Sequence, residues 1–168
     1  MTPSDFLTTV LMPGIAWCQT IPGWRAPFND RAILELTAIS GQEANWTDRI
    51  QSGNGPAHGL FQFERRGGVA GVLGDIATNP MAIAACRAAG VATNSTAVWG
   101  AFATAAGDHL SVAFARLLLW SDPSPLPAVG DEEGGWIAYQ INWRPGAPSR
   151  ERWSTVYPQA MAATGFNP

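Results

Sequence analysis

The sequence predicts a mainly α-helical domain with one small glycine-rich lobe, a loop or β-hairpin, and three observations predict it. Apolar residues recur at the 3.6-residue helical period in several separate segments. Helix-capping residues (Ser, Thr, Asn or Asp) stand just ahead of those segments. Glycines at 53, 55, 59, 67, 68 and 71 crowd residues 47–71, where they suit turns better than a helix. At 168 residues the chain has the size of one domain, read as 1–168.

In chain order, Thr2-Pro3-Ser4-Asp5 combines a hydroxyl cap, a proline at the first helical position and an acid in the first turn. That helix is expected to end by Pro13. Asn29-Asp30 caps a strongly apolar helix over about 31–45. After the glycine-rich stretch, Asn79-Pro80 opens a helix that Gly90 closes, and Ser95 or Thr96 opens the next. Asp108 is expected to cap 109–120, where Leu110, Ala113, Phe114, Leu117 and Leu118 form one face. Pro123, Pro125 and Pro127 make a stiff connector. Asp131 caps a helix with Trp136, Tyr139, Gln140 and Trp143 on one face, and Ser149 opens a last helix that Pro158 should kink or interrupt.

Composition excludes some functions. All ten basic residues are Arg, and thirteen acids leave a formal charge of −3, so the chain lacks the concentrated basic field that nucleic acid or an anionic membrane demands. The apolar run from Phe6 to Trp17 has no positive flank and is broken by Pro13-Gly14, which reads as neither a signal peptide nor a membrane span. Delivery beyond a cytoplasm would then need a route other than a Sec signal. Cys18 and Cys86 leave room for one bridge at most, and the oligomeric state is not readable.

One carboxylate interrupts the core pattern. From Leu36 the helical period runs to Ile39, then Glu43, then Trp46, so Glu43 shares a stripe with apolar and aromatic groups. Burial raises the pKa of a carboxyl group, which suits it to donate a proton near neutrality. The alternative is structural, with Glu43 at a core edge or paired to Arg49. Glu35 lies off that stripe and is expected to face solvent. Downstream, "GLFQFE" offers Gly59 for close backbone approach and Gln62 as both donor and acceptor, while Leu60, Phe61 and Phe63 suit a core equally well.

Together "LTAISGQEANW" and "PAHGLFQFE" resemble the lysozyme-like superfamily, especially lytic transglycosylases and phage muramidases, in which a helix ending in Gln-Glu-Ser precedes a Gly-Leu-Met-Gln turn. The resemblance covers 31–64 closely and 136–146 loosely. It implies that Glu43 is the general acid and base, that Gly59, Leu60 and Gln62 line sugar subsites, and that Tyr139 in "WIAYQINWRPG" hydrogen-bonds the glutamate. Ala44 stands in place of the family's serine, and Gln140 in place of an asparagine. The implied activity is cleavage of the β-1,4 bond between N-acetylmuramic acid and N-acetylglucosamine, with peptidoglycan strands as partner and no cofactor. A phage lysin, reaching the wall from the host cytoplasm, or a virion-associated muramidase is the implied setting.

The outcome of cleavage stays open at this level. An inverting hydrolase needs a second carboxylate roughly 6.5–9.5 Å away and a retaining one about 5 Å. Asp48 is the one other acid between Glu43 and Gly59, with a role in catalysis or only in the loop; Glu64 beside Arg65 and Arg66 reads as a solvated pair. A lone glutamate suffices if a muramyl hydroxyl attacks internally, as in the transglycosylases. A chitinase-like hydrolase and a non-catalytic glycan-binding virion protein are the rivals. Of eight tryptophans, Trp46 and Trp143 are cleft candidates for stacking on sugars, whereas Trp17, Trp99, Trp120 and Trp153 fit the core. His58 is a substrate contact or a solvent-exposed loop residue. Neither it nor His109 has partners at metal-ligand spacing, so no metal is expected, and no phosphate-loop or dinucleotide fingerprint is present.

Overall fold

The computed structural model describes residues 1–53 and 55–168. The chain is mainly helical, in the order α1 (Pro3–Phe6), α2 (Met12–Gln19), α3 (Asp30–Ala44), β1 (Ala57–His58), β2 (Phe63–Glu64), α4 (Ala70–Gly74), α5 (Asn79–Ala88), α6 (Ser95–Ala101), α7 (Asp108–Ser121), α8 (Glu132–Trp143) and α9 (Arg150–Thr164). Helices α3 and α7 form its centre. From Ala32 to Gln42 every residue of α3 is buried, with α9 packed along it; α7 is buried from Leu110 to Leu117 and packs on α2 and α5. Fully buried Leu36 and Ile39 each add about 1.5–3 kcal/mol of apolar burial. Among the described residues no single helix is long and apolar enough to cross a membrane.

Most helix starts follow the expected chemistry. Thr2 and Asp5 form a reciprocal capping box, and Asn29, Asp131 and Ser149 each accept a backbone N–H of their helix through the side chain. Asn94, one residue ahead of the expected Ser95, caps α6 in the same way, while Asn79 is the first residue of α5 and not its cap, its Nδ2 donating to Leu73 O at 2.6 Å. Gly90, at φ +67°, closes α5, with Gly90 N–H bonded to Arg87 O and Val91 N–H to Cys86 O.

Neither proline ends its helix. The first helix does not end at Pro13: a π turn at Leu7–Leu11 carries the chain into α2, the N–H of Met12 reaching Leu7 O. That wider register makes room for a ring that would otherwise strike the preceding turn. Pro158 lies inside a continuous α9 on its exposed side, so it does not interrupt the helix. Asp108 does not cap α7 either. Gly107 occupies the cap position with no side-chain bond, and Asp108 accepts from Arg49 Nε (2.8 Å) and Nη2 (2.7 Å), a two-pronged pair fastening the loop after α3 to α7.

The glycine-rich stretch forms a small antiparallel hairpin, Ala57 opposite Glu64 and His58 opposite Phe63, with Ile50 bridged to His58. Its later glycines lie in a π turn at Arg65–Val69, where Gly67 takes non-helical backbone at φ −94° and ψ −111°, and then in α4. Cys18 and Cys86 are buried free thiols, and burial raises their pKa to about 12 and about 11.

Candidate functional site

Where α3 ends, Asn45 and Trp46 both take left-handed backbone, at φ +48° and +57°, and the chain turns back on itself. The Trp46 indole folds onto α3, donating from Nε1 to Thr37 O at 2.8 Å. Gly41 makes this packing fit, since a Cβ there would lie 2.4 Å from the ring. Trp46 is therefore 4% exposed and belongs to the core, contrary to its expected place in a cleft.

Glu43 precedes this turn and lies half-buried on the wall of a large cleft of about 1270 Å³. The Tyr139 hydroxyl of α8 donates to Glu43 Oε1 at 2.5 Å. Burial raises the carboxyl pKa above 4.5; the Tyr139 hydrogen bond and the Arg152 charge act the other way without cancelling it. Burial and then the Glu43 charge hold the Tyr139 phenol far above its usual range, so it remains a donor. Arg152 on α9 is anchored by Nε and Nη2 to Gly41 O, at 3.2 and 2.7 Å, which steadies the last turn of α3. Arg49 is committed to Asp108, so the alternative pairing with Glu43 is not made.

The hairpin lobe and the ends of α7 and α8 complete the cleft. Gln62, at φ +47°, donates from Nε2 to both Asp48 O and Gly59 O at 2.9 Å. No donor to its Oε1 is present among the described residues, leaving an acceptor at the cleft wall. Trp143 also lines the cleft, its Nε1 donating to Phe61 O at 3.0 Å and its ring against Phe61 and Phe63.

Several expected site residues lie elsewhere. Leu60 is a fully buried core side chain, and Gly59, at φ +81°, is buried where a Cβ would meet Phe102 and Ser111 at 3.0 Å, so it serves packing and not ligand approach. His58 is half-buried in β1, its ring stacked on Trp99 with centroids 3.6 Å apart and Nδ1 3.0 Å from Trp99 O; it is neither solvent-exposed nor on the cleft wall. Asp48 is exposed in the turn after α3, off the cleft. Gln140 is exposed, apart from the face shared by Trp136 and Tyr139, and Trp120 is 38% exposed and not core.

Glu35 reverses its expectation most sharply. It is 1% exposed, its Oε1 has no partner among the described residues, and burial, then Asp131, raises its pKa well above 4.5.

The cleft also contains residues not expected there from the sequence. Gln42, adjacent to Glu43, donates from Nε2 to Ser149 O at 3.1 Å while its Oε1 is buried without a donor. Arg66, Arg144 and Asn142 line it, as do the acids Glu64, Asp75 and Asp122. Asp75 Oδ1 caps the N–H groups of Ala77 and Thr78, and Asp122 Oδ1 that of Ser124. Glu64 is exposed and makes no ion pair with Arg65 or Arg66, so the solvated pair expected there does not form. A polar residue beside the stripe carboxylate was the one available signal, for Gln42; the others come from segments distant in sequence. Among the described residues no group of three His, Cys, Asp or Glu side chains could hold a metal ion. Comparison with known proteins finds no matching family model, curated protein or solved structure.

Proposed function

We infer that this chain cleaves a glycan strand, with peptidoglycan as substrate and Glu43 as both acid and base, as its resemblance to the lysozyme-like superfamily implies. The observation that carries this reading is the Glu43–Tyr139 pair: a carboxyl whose pKa is raised by burial, at the wall of a cleft, oriented by a phenol that stays protonated. A proton donor must reach its substrate, be protonated at working pH and be held in one orientation, and this arrangement supports all three.

Glu43 donates its proton to the bridging oxygen as the C1–O bond breaks. The resulting carboxylate accepts the proton of the muramyl C6 hydroxyl, whose oxygen closes onto C1 as a 1,6-anhydro sugar. No water is consumed. Asp75 and Asp122 cap turns and Asp48 lies off the cleft, which favours this internal route over water attack. Glu64 is the remaining cleft carboxylate free to activate water, and it supports a hydrolytic second reading.

Mass spectrometry of fragments released from purified sacculi separates the two. Anhydro-muramyl termini that persist in Glu64→Gln are the expected result. Reducing muramic acid termini, lost together with activity in that variant, would establish hydrolysis instead. Sacculi that are bound but release no fragment would leave a glycan-binding protein.

A further inference from the structure

Beyond the end of the cleft, across Asp122 and Pro123, lies a second pocket of about 350 Å³. Arg116 of α7 lines it and is 3% exposed. Its Nε donates to Pro27 O at 2.7 Å, its guanidinium lies over the Trp120 ring at 5.4 Å, and its buried Nη1 has no acceptor among the described residues. Among the described residues no carboxylate pairs with it. Asp122 is occupied with the N–H of Ser124, and Arg31, the pocket's other cation, donates to Leu126 O at 3.2 Å. Burial without a counter-charge lowers the Arg116 pKa to about 10. A buried, unpaired cation is destabilising, and an anion bound from outside would offset that cost.

The walls narrow the choice of anion. Leu119, Trp120, Pro27, Pro125 and Leu126 are apolar, and Asp122 on the rim opposes a dianion. A planar carboxylate matches the edge of a guanidinium that lies over an indole. We propose that this pocket binds a monocarboxylate carried on a compact apolar body, such as the C-terminal residue of a peptide, with Arg116 as the counter-charge and Trp120 as a wall. Glu43 takes no part in it, so the site stands whether or not the chain cleaves glycans.

The test follows the Trp120 indole N–H by ¹H–¹⁵N NMR while N-acetylalanine is added to the wild-type protein, with N-acetylalanine amide and inorganic phosphate as parallel titrants. Saturable shifts with the acid, at least about tenfold weaker with the amide and unchanged in Glu43→Gln, are expected. Arg116→Gln, checked for an intact melting transition, should lose the response; the acid and amide pair on the wild type decides the matter should that variant fail to fold. An equal response to acid and amide, a response to phosphate as strong as to the acid, or none at all, would overturn the proposal.

Discussion

Helix α3 carries two carboxyl groups whose proton affinities are raised by the same cause, and only one of them could do chemistry. Glu35 is sealed among Gly135, Trp153 and Tyr157, 1% exposed and with one oxygen unpartnered among the described residues. Glu43, two turns on, is half-buried on a cleft wall with a phenol donating to it and an arginine charge nearby. Burial alone raises a pKa in both places. Access and an orienting donor distinguish a candidate acid from a buried structural carboxyl.

The sharpest way to break the comparison is Glu43→Gln. Loss of the proton donor should slow fragment release from sacculi by about 10²–10⁴-fold, with the melting temperature held or slightly raised. Retained release would remove Glu43 from the chemistry. Tyr139→Phe should cost less, about tenfold in rate, because it removes an orienting bond and not the proton. Its signature lies in pH. The lost hydrogen bond favoured the charged carboxylate, so the Glu43 pKa should rise further and the alkaline limb of activity should move up; a fall in rate with no movement would reduce Tyr139 to a packing role.

Glu35→Gln should leave activity nearly unchanged and alter stability instead. The folded state holds the Glu35 proton more tightly than the unfolded chain, whose carboxyl titrates near 4.5. Its contribution to stability is therefore full below that pH and declines as pH rises toward the folded pKa. Every tenfold difference in proton affinity is worth about 1.4 kcal/mol. Denaturant unfolding at acid and neutral pH should show a smaller loss across that interval in the variant, and an unchanged loss would mean that Glu35 is not the group responsible.

The same two residues show how far the sequence could be read. Glu43 was legible because a carboxylate on an apolar stripe is an exception to a period, and exceptions stand out. Glu35 was not, because placing it in solvent assumed that α3 has a solvent face; α9 and the neighbouring helices cover it all round. Trp46 was misplaced by extending α3 past Asn45, where left-handed backbone sends the indole back over Gly41. Gly59 was identified as a special position, but the neighbour requiring its bare backbone, Phe102, comes from a segment that carried no recognisable motif. Helix starts were readable from local capping chemistry. Arg152, Arg144 and the α7 end of the cleft were not, since only tertiary packing brings them to Glu43.

The most direct measurement is the pH dependence of fragment release by the wild-type protein. An alkaline limb with a midpoint above 4.5, absent from the residual activity of Glu43→Gln, is the expected result for a buried acid that must hold its proton. Release that persists unchanged in that variant across the whole pH range would contradict it.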